Sequence, residues 1–224
     1  MIFRNEVKHR ITAGDQAAIC ASLRAVAKLD PHAAKKGYYH IRSLYFDNLY
    51  DKALIEKLSG VSDREKFRIR YYDFDPSLIH LEKKVKRGGL GYKVSAILTK
   101  DEAQKIVDGD WDWMPLSGKA LVIELYAKMK SQLLRPKTIV DYDRIPYVYE
   151  PGNVRITVDH NLRTGLNCTD FLNPDCVTIP APDHPILLEV KWDEFLPAPI
   201  RHAIQVKDRR SGAFSKYGAC RMYG

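Results

Sequence analysis

The sequence predicts an antiparallel α+β domain. Strand-like segments outnumber helical ones and follow one another at hairpin spacing. Along nearly every strand the side chains alternate between apolar and charged, the period-2 signature of a sheet with one packed face. The helical segments are short and open on capping residues. Eight or so strands are expected, a number compatible with closure into a barrel.

The first strand is FRNEVKHRI, Phe3 to Ile11, with Phe3, Val7 and Ile11 on one face and Arg4, Glu6, Lys8 and Arg10 on the other. Thr12-Ala-Gly-Asp15 reads as a helix start, opening an amphipathic segment to about Leu29 with Ile19, Leu23, Val26 and Leu29 on one stripe. After the polar loop DPHAAKKG, the aromatic and β-branched run YYHIRSLYFD is a strand. Residues 48–59 form a short predicted helix, followed by strands at 64–74, 78–87 and 90–98, the last two joined by a turn at Gly88-Gly89. Thr99 and Glu102 make a capping box for a helix to about Asp108, and 117–133 is a longer helix with Leu121, Leu125, Met129 and Leu133 aligned. Strands return at 137–149, 153–160, 175–179 and 185–192, and a last helix covers 198–208 before the tail SGAFSKYGAC. There is no repeat, low-complexity tract or Gly/Ser linker, so one domain over 1–224 is expected.

The chain has 224 residues, 45% of them hydrophobic, enough for one sizeable core or two small ones. Lys and Arg total 36 against 28 Asp and Glu, a net +8 that admits phosphate-rich partners. Cys20, Cys168, Cys176 and Cys220 show no CxxC pair and no zinc-finger spacing, which reads as reduced structural thiols in a cytoplasmic protein. No signal peptide is read at the start, and no apolar run is long enough to span a bilayer.

The charged faces carry the functional information. In REKFRIRYYDF, Arg64, Lys66, Arg68, Arg70 and Tyr72 share a face opposite Glu65, Phe67, Ile69 and Tyr71. In LEKKVK, Glu82, Lys84 and Lys86 share one; further faces hold Arg155, Thr157 and Asp159, then Glu189 and Lys191, then Tyr142 and Arg144. Between Arg64 and Lys93 nine cationic residues stand against four acidic ones, so +5 of the net charge falls in thirty residues. A single strand of this kind is ordinarily the wet side of a sheet. Several in succession with the same sign repel one another and point to an anionic ligand that offsets the repulsion. A basic concave surface or lumen would favour a polyanion, with Arg gripping phosphate bidentately and Lys supplying point charge. Glu6, Glu82 and Glu189 among these cations are the natural seats for a phosphate-bridging divalent metal.

Other chemistries find no motif. Gly118-Lys119 lacks the rest of a Walker loop, GGLG at 88–91 precedes no helix, and DGDWDW lacks the Gly and Glu of an EF-hand. The seven histidines show no HExxH or paired ligand spacing, and no Ser/His/Asp or Cys/His arrangement stands out.

Nine segments in order, EVKHRI, SLYFDN, FRIRYY, LEKKVK, GYKVSAILT, RPKTIVDYDR, VRITVD, LLEVK and FSKYG, resemble the VTC domain. This is the polyphosphate polymerase domain of the vacuolar transporter chaperone family, in the triphosphate tunnel metalloenzyme (CYTH-like) superfamily. The resemblance covers about Phe3 to Ala219. It implies an eight-stranded antiparallel barrel enclosing a basic tunnel, with short helices outside. It also implies transfer of the ATP γ-phosphate to a growing polyphosphate chain with Mn²⁺, or Mg²⁺. By motif position the phosphate-binding and catalytic residues would be Lys8, Arg68, Arg70, Lys84, Lys93, Arg144, Arg155, Lys191 and Lys216, with Tyr142 beside them and Glu189 on the metal. Lys66 joins this set from its place on the charged face, and Glu6 and Glu82 join as further metal or bridging groups. The expected partners are ATP and inorganic polyphosphate or pyrophosphate, without nucleic acid, in a free-standing bacterial-type protein. One departure stands out. The superfamily carries E-x-E-x-K on its first strand, and here Arg4 replaces the first glutamate. That moves the expectation from a two-metal triphosphatase toward chain synthesis. A hydrolase of the same fold and a non-catalytic polyphosphate-binding module are the alternatives.

Overall fold

The structure, a computed structural model, describes residues 4–88, 90–205 and 211–222. Phe3, Gly89 and positions 206–208 of the expected last helix lie outside the described residues. In chain order the elements are β1 (Asn5–Ile11), α1 (Ala13–Val26), β2 (Lys28–Leu29), β3 (Tyr39–Asp47), α2 (Lys52–Leu58), β4 (Arg64–Tyr72), β5 (Asp75–Arg87) and β6 (Leu90–Leu98). Then come α3 (Lys100–Asp108), α4 (Ala120–Ser131), β7 (Arg135–Tyr149), β8 (Val154–Thr164), β9 (Ile179–Pro180), β10 (Ile186–Trp192), α5 (Ala198–Ala203) and α6 (Lys216–Arg221). Eight strands follow one hydrogen-bonded path, β1-β10-β8-β7-β3-β4-β5-β6, with β2 against β7 and β9 against β8. The strand ladders are antiparallel. The architecture is the expected α+β class, an antiparallel eight-strand sheet with a few short helices.

The chain divides into two compact units. One takes Met1–His40, Tyr142–Leu162 and Ala181–Phe214, the other Ile41–Asp141, Arg163–Pro180 and Ser215–Gly224. In the first unit the apolar sides of β1, β8 and β10 (Ile11, Ile156, Val158, Leu188, Val190) pack against Ile19 and Leu23 of α1 and Ile200 of α5. In the second, Phe67, Ile69 and Tyr71 of β4 and Ile79 and Leu81 of β5 pack against Ile106 of α3 and Val122, Leu125 and Met129 of α4. Each such buried side chain contributes about 1.5–3 kcal/mol relative to exposure. The period-2 alternation therefore does what the sequence predicts: helices cover the apolar sides, and Arg68, Arg70, Glu82 and Lys84 fall on the opposite side, while Lys83 and Glu65 stay on the packed side and pair with Glu124 and Lys128 of α4.

Local chemistry sets the boundaries. Thr12 accepts from the Asp15 amide and Asp15 from the Thr12 amide, a complete capping box at the start of α1; Thr99 and Glu102 repeat it on α3. The first helix stops at Val26 rather than Leu29, because Lys28 and Leu29 pair with Val148 and Tyr147. β4 ends at Tyr72, where Asp73 and Phe74 take left-handed backbone (φ 48° and 57°) to turn the chain into β5. The strand expected at 175–179 reduces to Ile179–Pro180, since 165–178 is a run of turns around the buried Phe171. The last expected helix closes at Ala203, its Ile204 amide bonded to the Ile200 carbonyl. The tail instead forms α6, capped by the Ser215 hydroxyl on the Gly218 amide. Among the described residues no helix is long and apolar enough to cross a membrane.

Candidate functional site

In the second unit a cationic face is built on three consecutive strands. Register places Arg68 opposite Glu82, Lys66 opposite Lys84, and Lys84 opposite Lys93. The centre is one buried carboxylate. Glu82, 3% exposed, accepts from Arg68 Nε at 2.8 Å and Lys93 Nζ at 2.6 Å, and lies 3.3 Å from Arg70 Nη2. Burial raises its pKa, but Arg68, Arg70 and Lys93 outweigh that and hold it at about 2. Three cations on one buried anion leave a positive surplus on this face. Arg64 and Lys86 continue it at the end of the strand pair, where a cavity of about 330 Å³ has a mixed lining: Lys52, Arg64, Lys86, Arg87 and Lys128 with Glu56, Asp63 and Glu65.

Behind the guanidinium of Arg68 stands Tyr45, 2% exposed, whose Oη accepts from Arg68 Nη1 at 2.9 Å. Lys66 Nζ lies 5.4 Å from its ring centroid. Burial resists ionisation of this phenol, but Arg68, Lys66 and Lys216 lower its pKa to about 8. Tyr45 stacks on Tyr217 of α6, and Tyr217 Oη donates to Asp47 at 2.6 Å. That contact docks α6 and brings Lys216 to this face. Arg70 stacks over Tyr72 and stands opposite His80, whose pKa is lowered by burial and by the cations Arg70 and Lys93 against the pull of Glu82.

The first unit carries a second cluster. β1 and β10 pair so that Glu6 lies opposite Lys191 and Lys8 opposite Glu189. Lys191 Nζ is 2.6 Å from Glu189 and 3.6 Å from Glu6, and Lys8 Nζ is 3.8 Å from Glu189 and also pairs with Glu6. Burial opposes ionisation of Glu189, but Lys191, Lys8 and Arg144 keep its pKa at about 2. On β8, Arg155 is exposed opposite Lys191, and Thr157 stands opposite Glu189. Arg144 forms a two-pronged pair with the buried Asp159, at 2.6 and 2.8 Å. Burial disfavours its charge, and Asp159 more than restores it. Tyr142 lies under the Arg144 guanidinium, 5.5 Å away.

Glu6 and Glu189 have the chemistry of a Mn²⁺ or Mg²⁺ seat, being hard oxygen donors brought together by one strand pair. Among the described residues no group of three or more His, Cys, Asp or Glu is arranged around a metal position. Two carboxylates still fit the case in which substrate phosphates and water complete the coordination. Glu82 has a different occupation as the shared counter-ion of Arg68, Arg70 and Lys93. Arg4, the residue that departs from the E-x-E-x-K pattern, donates from Nε to Asp193 at 2.8 Å and also bonds the Asn153 carbonyl. Its charge is spent tying β1 to the segment after β10.

The VTC domain profile matches residues 3–223. The chain belongs to the VTC domain family. No curated protein matches it. Among solved structures it is similar to a candidate adenylate cyclase from Bacillus halodurans, at 13% identity and a TM-score of 0.49 over 91% of this chain and 83% of that one. It is also similar to a Pyrococcus horikoshii OT3 protein (11%, TM-score 0.45, 90% and 84% covered) and a conserved Pyrococcus furiosus protein (12%, TM-score 0.44, 90% and 85%).

Three residues of this VTC domain escaped the sequence reading. Tyr45 sits in the quoted SLYFDN segment, but its surroundings come from β4 and α6, which spacing along β3 does not reveal. Asp159 was on a named charged face without a partner, and β7 supplies that partner. Ser43 is fully buried opposite Arg70, with its hydroxyl lacking a hydrogen-bond partner, as does Arg70 Nε. The signal was its phase, two residues before Tyr45 on the same face.

Proposed function

We propose that this protein is a metal-dependent polyphosphate polymerase, transferring the γ-phosphoryl group of ATP to the end of an inorganic polyphosphate chain. The observation that carries the reading is the Glu82-centred array, in which three cations share one buried carboxylate on a face of matched Lys and Arg. VTC family membership supports the same class of substrate. Arg68, Arg70, Lys84 and Lys93 grip phosphate oxygens, with Lys66 and Lys216 flanking them. Lys8, Lys191, Arg155 and Arg144 serve phosphate from the other cluster, with Tyr142 fixing the Arg144 plane. Glu189, helped by Glu6, would hold Mn²⁺ or Mg²⁺, which when bound supplies charge neutralisation at the phosphates.

The reaction needs no protein nucleophile. An oxygen of the acceptor's terminal phosphate attacks the γ-phosphorus, and the β–γ bridging oxygen leaves with ADP. The side chains bind, align and stabilise charge spread over the transferred group. Permanently charged Arg and Lys suit that task, and the depressed pKa of Glu82 keeps their anchor ionised at every working pH.

The test is incubation of the purified protein with ATP and Mn²⁺, followed by a gel that resolves phosphate chains. A ladder supports synthesis. Free phosphate without a ladder makes it a hydrolase, and unchanged ATP with retained polyphosphate binding makes it a binding module. Glu189→Gln is expected to abolish the ladder while leaving the fold intact by circular dichroism at the assay temperature, with a lowered melt because the charge that Lys191 and Lys8 face is gone; chain synthesis at the wild-type rate would remove Glu189 from the metal. Arg68→Ala is expected to weaken ATP binding, and unchanged affinity removes Arg68 from the site.

A further inference from the structure

The 165–178 segment holds two cysteines that the phosphate chemistry does not use. Turns at both ends, Cys168 N–H to the Gly165 carbonyl at 2.8 Å and Cys176 N–H to the Asn173 carbonyl at 3.2 Å, fold the eight-residue spacing back on itself. The two sulfurs stand 2.7 Å apart, in direct contact. Both residues are partly exposed, whereas Cys20 and Cys220 are buried at 6% and 1% exposure. The peptide between them is already ordered. Phe171 is fully buried edge-on to Tyr71, and Tyr71 Oη donates to the Phe171 carbonyl at 3.0 Å. Arg42, paired with the buried Asp141, donates to the Asn173 carbonyl. A bond between the sulfurs therefore closes a loop whose two ends are already held together.

We propose that Cys168 and Cys176 are a redox-active dithiol that closes into an intramolecular disulfide by exchange with a low-molecular-weight disulfide such as glutathione disulfide. The balance is simple. Cys168, as thiolate, attacks one sulfur of the small disulfide; a protein–glutathione bond forms and one glutathione thiolate leaves. Cys176 then gives its proton to solvent and attacks the Cys168 sulfur, expelling the second glutathione thiolate. Two electrons pass from the protein dithiol to the small disulfide, and the two expelled thiolates take up two protons. The sequence is equivalent with the two cysteines exchanged, because the sulfurs are in mutual contact for the resolving step. In the closed form the segment carrying Phe171 and the Asn173 carbonyl is stapled.

The experiment treats the full-length native protein with glutathione disulfide, alkylates it after denaturation, and maps peptides without reduction. The expected product is a single Cys168–Cys176 bridge, with Cys20 and Cys220 alkylated. Its melting temperature should exceed that of the reduced protein by about 5 °C or more, reversed by a dithiol reductant. In Cys176→Ser and in Cys168→Ser, which lack the resolving sulfur, no bridge should form and a glutathione adduct should persist on the remaining cysteine of the pair. Alkylation of both Cys168 and Cys176 in the treated wild type overturns the proposal, as does a bridge to Cys20 or Cys220. Absence of an adduct in both variants likewise overturns it.

Discussion

At the scale of single residues, the most consequential side chain is Glu82. It is nearly inaccessible, and Arg68, Arg70 and Lys93 all turn to it. Removing the charge while keeping the shape leaves three cations facing one another across adjacent strands. Glu82→Gln is therefore expected to cost about 3–5 kcal/mol in urea unfolding, in the range seen when one partner of a buried pair is removed. Inorganic tripolyphosphate should recover part of that loss in the variant by supplying the missing negative charge; an unchanged urea midpoint on its addition would contradict the counter-ion role. The same carboxylate, with Glu189, shapes the acid limb of stability. Both pKa values fall from the ordinary 4.5 to about 2 in the folded protein. Below 4.5 the unfolded chain binds protons that the native state does not, so stability falls as the pH drops through that window toward about 2. The contribution is fully present above it. Thermal melts from pH 6 to pH 2.5 should show this slope, reduced in Glu189→Gln.

At the scale of elements, alternation made the strands legible, because a one-sided sheet writes its packing into every second residue. Arg68, Arg70, Lys84 and Glu82 could be placed on charged faces that way. What each charged face touches was not legible. The convergence of Arg68, Arg70 and Lys93 on Glu82 depends on cross-strand register over three strands. Helix α6 was missed because six residues carry little propensity, and its place is fixed by Tyr217 reaching Asp47. The β7–β8 connection gives a sharp prediction. Gly152 sits at φ 73°, and a Cβ there would lie 2.7 Å from the Phe195 carbonyl oxygen and 3.3 Å from Pro197 Cδ. Gly152→Ala should destabilise the protein by about 1–3 kcal/mol through backbone strain and crowding. Gly60→Ala has no atom within 4 Å of the added Cβ, so it isolates the cost of a positive φ alone and should be milder. Equal losses at the two sites would mean that the contact with Phe195 and Pro197 is relieved freely.

For the molecule as a whole, the net charge of +8 and the concentration of cations on sheet faces mean that part of the native state's electrostatic energy is repulsive. A polyanion that binds the folded form removes this repulsion and adds mass-action stabilisation, about 2.7 kcal/mol at one hundred times its dissociation constant. Polyphosphate should raise the melting temperature at low salt, and the increment should shrink as ionic strength rises past the point where the Debye length is about 8 Å. A salt-independent increment would argue against charge as the source of binding. The basic balance was readable from composition. The division into two compact units was not, because β7 and β8 each contribute residues to both.

The pairing of β1 with β10 has a kinetic consequence. Glu6, Lys8, Glu189 and Lys191 meet only when the segment Asn5–Ile11 finds Ile186–Trp192. The β4–β5–β6 meander joins neighbours along the chain and closes through short loops. Loop-closure entropy makes the distant pairing the slower event. During refolding the array around Glu82 should therefore assemble before the carboxylates of β1 and β10 are brought together, so the two charged clusters mature in sequence rather than at once.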